Sequence, residues 1–216
     1  MGGFGHYLSS NSSDLLQQVT GQVEIVALSV FIAAVIGVVV GALTSRSRMI
    51  SGLAISTSAV LFTIPSFALL GLLIAPLGLG FLPVLVALVV YALLPIVRNT
   101  VVGLNGVDPA LVEAGWGMGM GRIRLLLTVE FPMAWPVILA GIRVSVQLTM
   151  GIAAIGAYVN GPGLGKAIFD GLNNFGAVNS LNSALAGTIG ILILALLFDL
   201  GLQIVGRFTT TRGIRV

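Results

Sequence analysis

Charged side chains that could perform chemistry are scarce in this sequence, and three of them lie inside apolar segments. They are Arg98, Arg143 and Asp199. An isolated charge is costly to bury, so such residues normally face protein or water and find a partner. We expect Asp199 to pair with one of the two arginines; the alternative is that each side chain extends separately toward water.

The residue types that most enzymes use are missing from the sequence. It contains no cysteine and one histidine, His6, which excludes thiolate catalysis and cysteine-ligated metals. Gly165-Lys166-Ala167 lacks the GxxxxGKS or GxxxxGKT context of a nucleotide-binding loop. We therefore expect a protein that is not an enzyme and that binds no metal or cofactor itself.

The amino-acid composition indicates whether the protein is surrounded by water or by lipid. Hydrophobic residues make up 57% of the 216 residues and charged residues only 8%, against about 25% charged residues in a soluble domain. So few charges cannot cover a water-facing surface, and the solvent must be largely lipid. The formal net charge of +3 is carried by scattered arginines, which membrane topology explains better than nucleic-acid binding does.

Five apolar segments are long enough to cross a bilayer, which takes about 20 residues per helix. They are residues 23–43, 50–75 (with Pro65 inside), 81–102, 136–159 and 185–206. Gly37 and Gly41 are spaced to let the first helix approach a neighbour closely. The sequence thus predicts an all-α polytopic membrane protein. Residues 1–22 would be an extracytoplasmic segment without the basic start of a cleaved signal peptide. Residues 23–206 would form the membrane domain and residues 207–216 a basic tail.

The basic residues orient the predicted spans. Nine of the ten fall on or toward one side of the membrane, and only Lys166 falls on the other. Basic residues accumulate on the cytoplasmic side, so we expect the N-terminus outside and the C-terminus in the cytoplasm. The nine are Arg46, Arg48, Arg98, Arg122, Arg124, Arg143, Arg207, Arg212 and Arg215.

A polar stretch, residues 107–132, connects the third and fourth spans on the predicted cytoplasmic side. Asp108 suits a helix N-cap and Pro109 the first turn, so a short helix is predicted from residue 109 to about 116. Glycines at 115, 117, 119 and 121 would end it and allow a sharp bend. A second short helix from Arg122 would then lead to Pro132. This arrangement suits a docking element; an ordinary interfacial loop is the alternative.

The same stretch resembles the cytoplasmic signature of ABC importer permeases: Glu-Ala-Ala, three residues, Gly, nine residues, Ile-x-Leu-Pro. This sequence has Glu113-Ala114-Gly115, Gly119 and Val129-Glu130-Phe131-Pro132 with matching spacing, although Gly115 replaces an alanine. The resemblance implies a type I importer permease fold in which residues 107–132, here named the coupling segment, dock on an ATPase subunit. The residues expected to serve this coupling are Asp108, Pro109, Glu113, Ala114, Gly115, Gly119 and Pro132.

Four further motifs resemble the osmoprotectant branch of these permeases, which import glycine betaine, carnitine, choline and proline betaine. They are TIPSFALL at 63–70, LLPIVRNT at 93–100, GMGM at 117–120 and PVILAGIR at 136–143. The resemblance covers most of residues 20–206. The loop at residues 160–165, which contains Pro162, departs from the Ala-Gly-Gly-Leu-Gly type of this branch.

The resemblance implies a two-state transport machine in the bacterial inner membrane. Two permease subunits, identical or paralogous, would form the pathway within membrane lipid. Partner ATPase subunits would bind ATP and Mg, and an extracytoplasmic binding protein would deliver the solute; no nucleic acid is expected. The alternatives are a permease for methionine or another amino acid and, less favoured, an ATP-independent carrier, which would need no coupling segment.

Polar residues within the spans are candidates for lining the pathway. A proline frees a backbone carbonyl in the second span, and residues four apart share a helix face. Hydrogen bonding between helices is the alternative for any one of them. The candidates are Thr63, Pro65, Ser66, Asn99, Ser145 and Thr149, with Arg98, Arg143 and Asp199 expected at the inner mouth. Residues 160–182 are expected to contact the binding protein or cover the pathway, with Phe169 and Leu172 partly buried.

Overall fold

The computed structural model describes residues 3–209, and every regular element in this part of the chain is helical. A π-helical turn spans Leu126–Glu130, and a 3-10 turn spans Ala157–Val159. The all-α prediction is confirmed, while Arg212 and Arg215 lie outside the described residues. The helices are α1 (Phe4–Ser10), α2 (Ser12–Thr44), α3 (Arg48–Thr63), α4 (Ser66–Leu77), α5 (Phe81–Asn105), α6 (Pro109–Gly117), α7 (Arg122–Leu125), α8 (Phe131–Gly156), α9 (Gly165–Asn173) and α10 (Ser180–Thr209).

Helices α2, α5 and α8 pack together at the centre of the molecule. A methyl group added at Gly37 would lie 2.8 Å from Cγ2 of Ile96, and one at Gly41 would lie 2.6 Å from Cβ of Thr100. Both distances are too short for a real contact, so only glycine allows α2 to approach α5 this closely. The predicted role of the two glycines in helix packing is confirmed.

Four helices are long and apolar enough to cross a membrane, and a fifth crossing is formed only if the bent pair α3 and α4 counts as one span. The second predicted span, residues 50–75, is thus not one helix but two, which meet at 92°. Ile64 is extended, with φ −63° and ψ 126°, since the ring of Pro65 disfavours the helical conformation in the preceding residue. The hydroxyl of Tyr91 on α5 donates a hydrogen bond to the carbonyl of Ile64. The break is thus supported by a neighbouring helix.

The helix that contains α8 is longer than predicted. A helix begins at Arg122 as predicted. It does not end near Pro132, however, because residues 122–159 form one apolar helical run of 38 residues. The prediction of a separate span beginning at residue 136 is therefore wrong. The π-helical turn ends at Glu130, two residues before Pro132. A proline has no N–H and its ring crowds the preceding turn, and the wider π turn accommodates it without a break.

Helix α2 also begins earlier than the predicted first span. Its 33 residues correspond to a length of about 50 Å, more than the roughly 30 Å of the bilayer core. The predicted domain boundary at residue 22 therefore falls inside a helix, and the side chain of Gln22 is fully buried.

At the periphery, α10 leaves Leu196 and Leu200 more than half exposed, which suits contact with lipid.

Candidate functional site

The predicted helix at the start of the coupling segment is confirmed. Helix α6 begins at Pro109, and the carboxylate of Asp108 accepts a hydrogen bond of 2.9 Å from the backbone N–H of Ala110. Such a cap satisfies a donor that the first helical turn leaves free. Asp108 and Pro109 therefore fix where this helix starts.

The bend after α6 depends on one glycine. Gly119 has a φ of +76°, a conformation that side-chain-bearing residues rarely adopt. Its N–H donates to the carbonyl of Trp116 at 2.9 Å, and the N–H of Met120 donates to the carbonyl of Gly115 at 3.1 Å. These bonds satisfy carbonyl groups at the C-terminus of the helix. The prediction that the helix ends and bends at Gly119 is confirmed.

The missing side chain of Gly115 matters for packing, and only its backbone carbonyl takes part in the bend. It lies within α6 and is buried, and a methyl group at this position would overlap Cδ1 of Leu125. Leu125 is itself fully buried. The glycine that replaces the signature alanine therefore lets α6 rest on the beginning of the long helix 122–159.

The opposite side of α6 has no partner within the described part of the chain. Leu111 and Trp116 are 41% and 45% exposed, and Met118 is 69% exposed. The carboxylate of Glu113 is exposed and makes no ion pair or hydrogen bond with any described residue. Apolar side chains around a free carboxylate form a surface that a partner with an apolar, basic cleft would fit.

An ion pair that involves the coupling segment was not predicted. Arg46, in the turn between α2 and α3, lies 3.1 Å from the carboxylate of Glu130 in the π-helical turn. Glu130 is only 8% exposed, so the pair ties this turn to the long helix. Glu130 occupies the variable position of the signature, but an acid inside an apolar run is itself a signal that a basic partner is near.

Two of the three residues Arg98, Arg143 and Asp199 form an ion pair. The guanidinium of Arg143 on α8 contacts the carboxylate of Asp199 on α10 through two bonds, Nε to Oδ1 at 2.7 Å and Nη2 to Oδ2 at 3.0 Å. Gln203 donates to the same carboxylate at 2.7 Å. Arg98 is exposed and has no such partner among the described residues. Of the two expected arginines, the structure thus pairs Arg143 with Asp199.

The predicted pathway residues separate into two groups. Ser145 and Thr149 are fully buried; the hydroxyl of Ser145 donates to the carbonyl of Ala92, and that of Thr149 to the carbonyl of Ser145. The bond of Ser145 joins α8 to α5, while that of Thr149 stays within α8. Neither residue faces a surface that a solute could reach in this conformation. Asn99 is partly buried and donates to the carbonyl of Pro95 at 2.8 Å.

The other three pathway candidates surround the break between α3 and α4. Thr63 and Pro65 are exposed and Ser66 is partly exposed. The hydroxyl of Thr63 donates to the carbonyl of Val60 at 2.7 Å, within its own helix. The surface at the break is therefore open for contact with another molecule.

Two glutamines at the end of the molecule opposite the coupling segment were missed. The amide of Gln22 donates to the carbonyl of Met150 at 3.2 Å and accepts from the N–H of Leu164 at 3.1 Å. Gln18 accepts from the N–H of Ala167 at 3.1 Å. These bonds fasten the loop at residues 160–165 and helix α9 onto α2. A glutamine within an apolar helix, such as Gln22, is the signal that could have indicated this contact.

Helix α9 lies in the stretch that was expected outside the membrane. Phe169 is partly buried, as predicted, but the prediction for Leu172 is wrong, since this side chain is 57% exposed. The reason is that α9 packs through its small residues. A methyl group at Gly171 would lie 2.5 Å from the carbonyl oxygen of Ser180, so α9 approaches α10 closely there and Leu172 remains exposed.

The helical architecture, with four helices and one bent pair that could cross a membrane, defines a multi-pass membrane protein. Residues 33–211 match the family described as the binding-protein-dependent transport system inner membrane component, and the chain belongs to this family. It is therefore an inner-membrane component of a transport system.

Similar proteins cover almost the whole chain. The carnitine transport permease protein OpuCB of Listeria monocytogenes is 38% identical over 97% of this chain and 94% of its own length. The osmoprotectant import permease protein OsmW of Salmonella typhimurium is 38% identical over 97% of this chain and 98% of its own. The glycine betaine/carnitine/choline transport system permease protein OpuCD of Bacillus subtilis is 38% identical over 91% of this chain and 84% of its own length.

A solved structure shares the fold. A chain of the MetNI methionine ABC transporter in an inward-facing conformation aligns with a TM-score of 0.79, covering 98% of this chain and 100% of that chain. The sequence identity is 21%, so this likeness concerns the architecture alone. The expectation of a type I ABC importer permease fold is confirmed.

Proposed function

We propose that this chain forms the solute pathway of an ATP-driven importer for quaternary ammonium osmoprotectants such as glycine betaine, carnitine, choline and proline betaine. The observation that carries the proposal is helix α6, which is capped at Asp108, closed at Gly119 and presents an unpaired Glu113. A carrier that worked without an ATPase would need no such element. The names of relatives that are 38% identical favour osmoprotectants as the solutes.

The partners follow from this role. An ATPase subunit, which binds ATP and Mg, would receive α6 in a cleft, with a basic group facing Glu113. A second permease subunit would complete the pathway, and a binding protein would deliver the solute from outside. In this arrangement the chain itself binds no nucleotide. The N-terminus would lie outside and the C-terminus in the cytoplasm, with the coupling segment on the cytoplasmic face.

The contacts around the coupling segment support a mechanical link to the membrane domain. Helix α6 rests on Leu125, which belongs to the same continuous helix as Arg143 and Ser145. The ion pair between Arg46 and Glu130 fastens the turn between α2 and α3 to that helix. A displacement of α6 by the ATPase would therefore reach α2, α3 and α8 together, because packed helices move as rigid elements.

The pathway itself would pass the break between α3 and α4. Thr63, Pro65 and Ser66 offer polar groups there, and Asn99 lies on α5 nearer the coupling segment. The pair of Arg143 and Asp199 would lie toward the inner mouth, where it ties α8 to α10.

Uptake of labelled glycine betaine, choline and carnitine tests the proposal. Cells without their own osmoprotectant importers would express this chain with its ATPase and binding protein. We expect uptake that requires the ATPase, and a strong loss for Glu113→Lys, which reverses the charge at the docking surface. Glu113→Gln, which removes the charge but keeps the shape, is the graded control and should retain more uptake.

Two results would contradict the proposal. Uptake that continues without any ATPase would indicate an independent carrier. An intact system that moves none of the three solutes would refute the assignment to osmoprotectants, and amino acids would be tested next. The amount of inserted protein, measured in the same membranes, separates lost coupling from lost expression.

A further inference from the structure

A hollow opens at the end of the molecule opposite the coupling segment, between the 3-10 turn at 157–159 and helix α9. Its volume is about 470 Å³, which falls within the usual range of small-molecule sites. The residues that matter for its chemistry are Tyr158, Lys166, Phe169 and Asp170.

Aromatic rings form one side of this hollow. The rings of Tyr158 and Phe169 have centroids 6.2 Å apart at an interplanar angle of 52°. Tyr158 also meets Phe67 of α4 edge to face, at 5.5 Å and 81°. Tyr158 is 70% exposed, so its ring is accessible. The negative face of an aromatic ring attracts a cation within about 6 Å, and two neighbouring rings offer such faces together.

Two opposite charges on α9 lie beside these rings. Lys166 and Asp170 are four residues apart, a spacing that places them on one face of a helix and usually favours an ion pair. Here both are exposed, and neither side chain makes an ion pair or hydrogen bond with any described residue. Each charge is therefore available to a ligand, and together they match a ligand that carries one positive and one negative group.

The row of rings also leads toward the proposed pathway. Phe67 directly follows Pro65 and Ser66, the residues at the break between α3 and α4. A ligand that leaves the hollow along Tyr158 and Phe67 would arrive at this break. The hollow is thus placed as an entrance to the pathway.

We propose that the hollow binds zwitterionic quaternary ammonium solutes as they enter the pathway. The methylated ammonium group lies against Tyr158 and Phe169, close to Asp170, and the carboxylate of the solute faces Lys166. Choline carries the same cation but no carboxylate, so it uses the aromatic side and Asp170 only. This inference rests on the proposed function for the class of solute.

Direct binding to the permease–ATPase complex, reconstituted in lipid nanodiscs without the binding protein, tests this site. Labelled glycine betaine and labelled choline are the probes. We expect Lys166→Gln to weaken the binding of glycine betaine about fivefold and to leave the binding of choline unchanged. Tyr158→Ala should weaken both about fivefold, whereas Tyr158→Phe, which keeps the ring face, should bind like the parent protein.

The outcomes separate this site from the transport function. No binding of glycine betaine to the parent complex, or equal effects of Lys166→Gln on both solutes, would overturn the site even if cellular uptake is intact. Loss of all uptake and all binding would refute both the proposed function and the site. If Tyr158→Ala does not insert, Lys166→Gln decides the question, because Lys166 is exposed and makes no contact that folding requires.

Discussion

The contact between Gly115 and Leu125 allows a quantitative test of how the coupling helix is held. Gly115→Ala would add a methyl group closer than 3.0 Å to Cδ1 of Leu125. Non-bonded carbon atoms normally stay about 3.5–4.0 Å apart. Leu125 is fully buried, so its side chain has little room to turn away. The substitution restores the alanine of the family signature, yet we expect it to be unfavourable in this sequence.

The expected cost is that of overpacking a core, about 1–3 kcal/mol. Because α6 is a short element at the edge of the molecule, this cost should destabilise the packing of α6 against the long helix and leave the rest of the fold unchanged. The local opening of α6 should therefore become roughly 5 to 150 times more frequent. Gly117→Ala is the matched control: it lies in the same helix, and nothing approaches within 4 Å of a methyl group there.

Amide hydrogen exchange of α6 in the reconstituted transporter measures this opening. We expect faster exchange for Gly115→Ala and no acceleration for Gly117→Ala, because alanine is a better helix former than glycine. Leu125→Ala alone leaves a cavity, but combined with Gly115→Ala it should cost less than the sum of the two single changes. Equal exchange in the two alanine variants, or strictly additive costs, would refute the reasoning.

Two further predictions concern contacts within the membrane domain. Asp199→Asn leaves Arg143 without its counter-charge and should lower the unfolding free energy by about 1–2 kcal/mol. A double-mutant cycle with Arg143→Gln, measured by unfolding in detergent, checks this. An interaction energy near zero between the two positions would contradict it. Tyr91→Phe keeps the edge contact with Phe62 but removes the donor to the carbonyl of Ile64, at a cost of about 0.5–1.5 kcal/mol. Denaturation of the same preparations measures that cost, and an unchanged midpoint would show that the hydroxyl does not support the break.

Much of the fold and of the coupling segment could be predicted because their signals are local. The length of an apolar run is sufficient to indicate a membrane helix. The start of α6 follows from Asp108 and Pro109, and its end from a glycine that adopts a positive φ at residue 119. Pro65 was also visible inside the second span, but neither the break between two helices nor its angle of 92° was predicted. That angle depends on the packing of α4 against α5 and on Tyr91, which lies far away in the sequence.

The side of each membrane helix that packs against other helices could not be predicted from its apolar pattern, and the reason is physical. In a soluble helix the apolar stripe shows which side is buried. In lipid, the protein-facing and the lipid-facing sides are equally apolar, so the stripe disappears. Ser145 and Thr149 could therefore face a pathway or a neighbouring helix with the same sequence pattern. Their burial between α8 and α5 is decided by small residues such as Gly141, where an added methyl group would lie 2.7 Å from the carbonyl oxygen of Pro95. The buried side of a membrane helix is therefore the side that can approach a neighbouring helix closely. This depends on the residues of both helices and cannot be read from one of them alone.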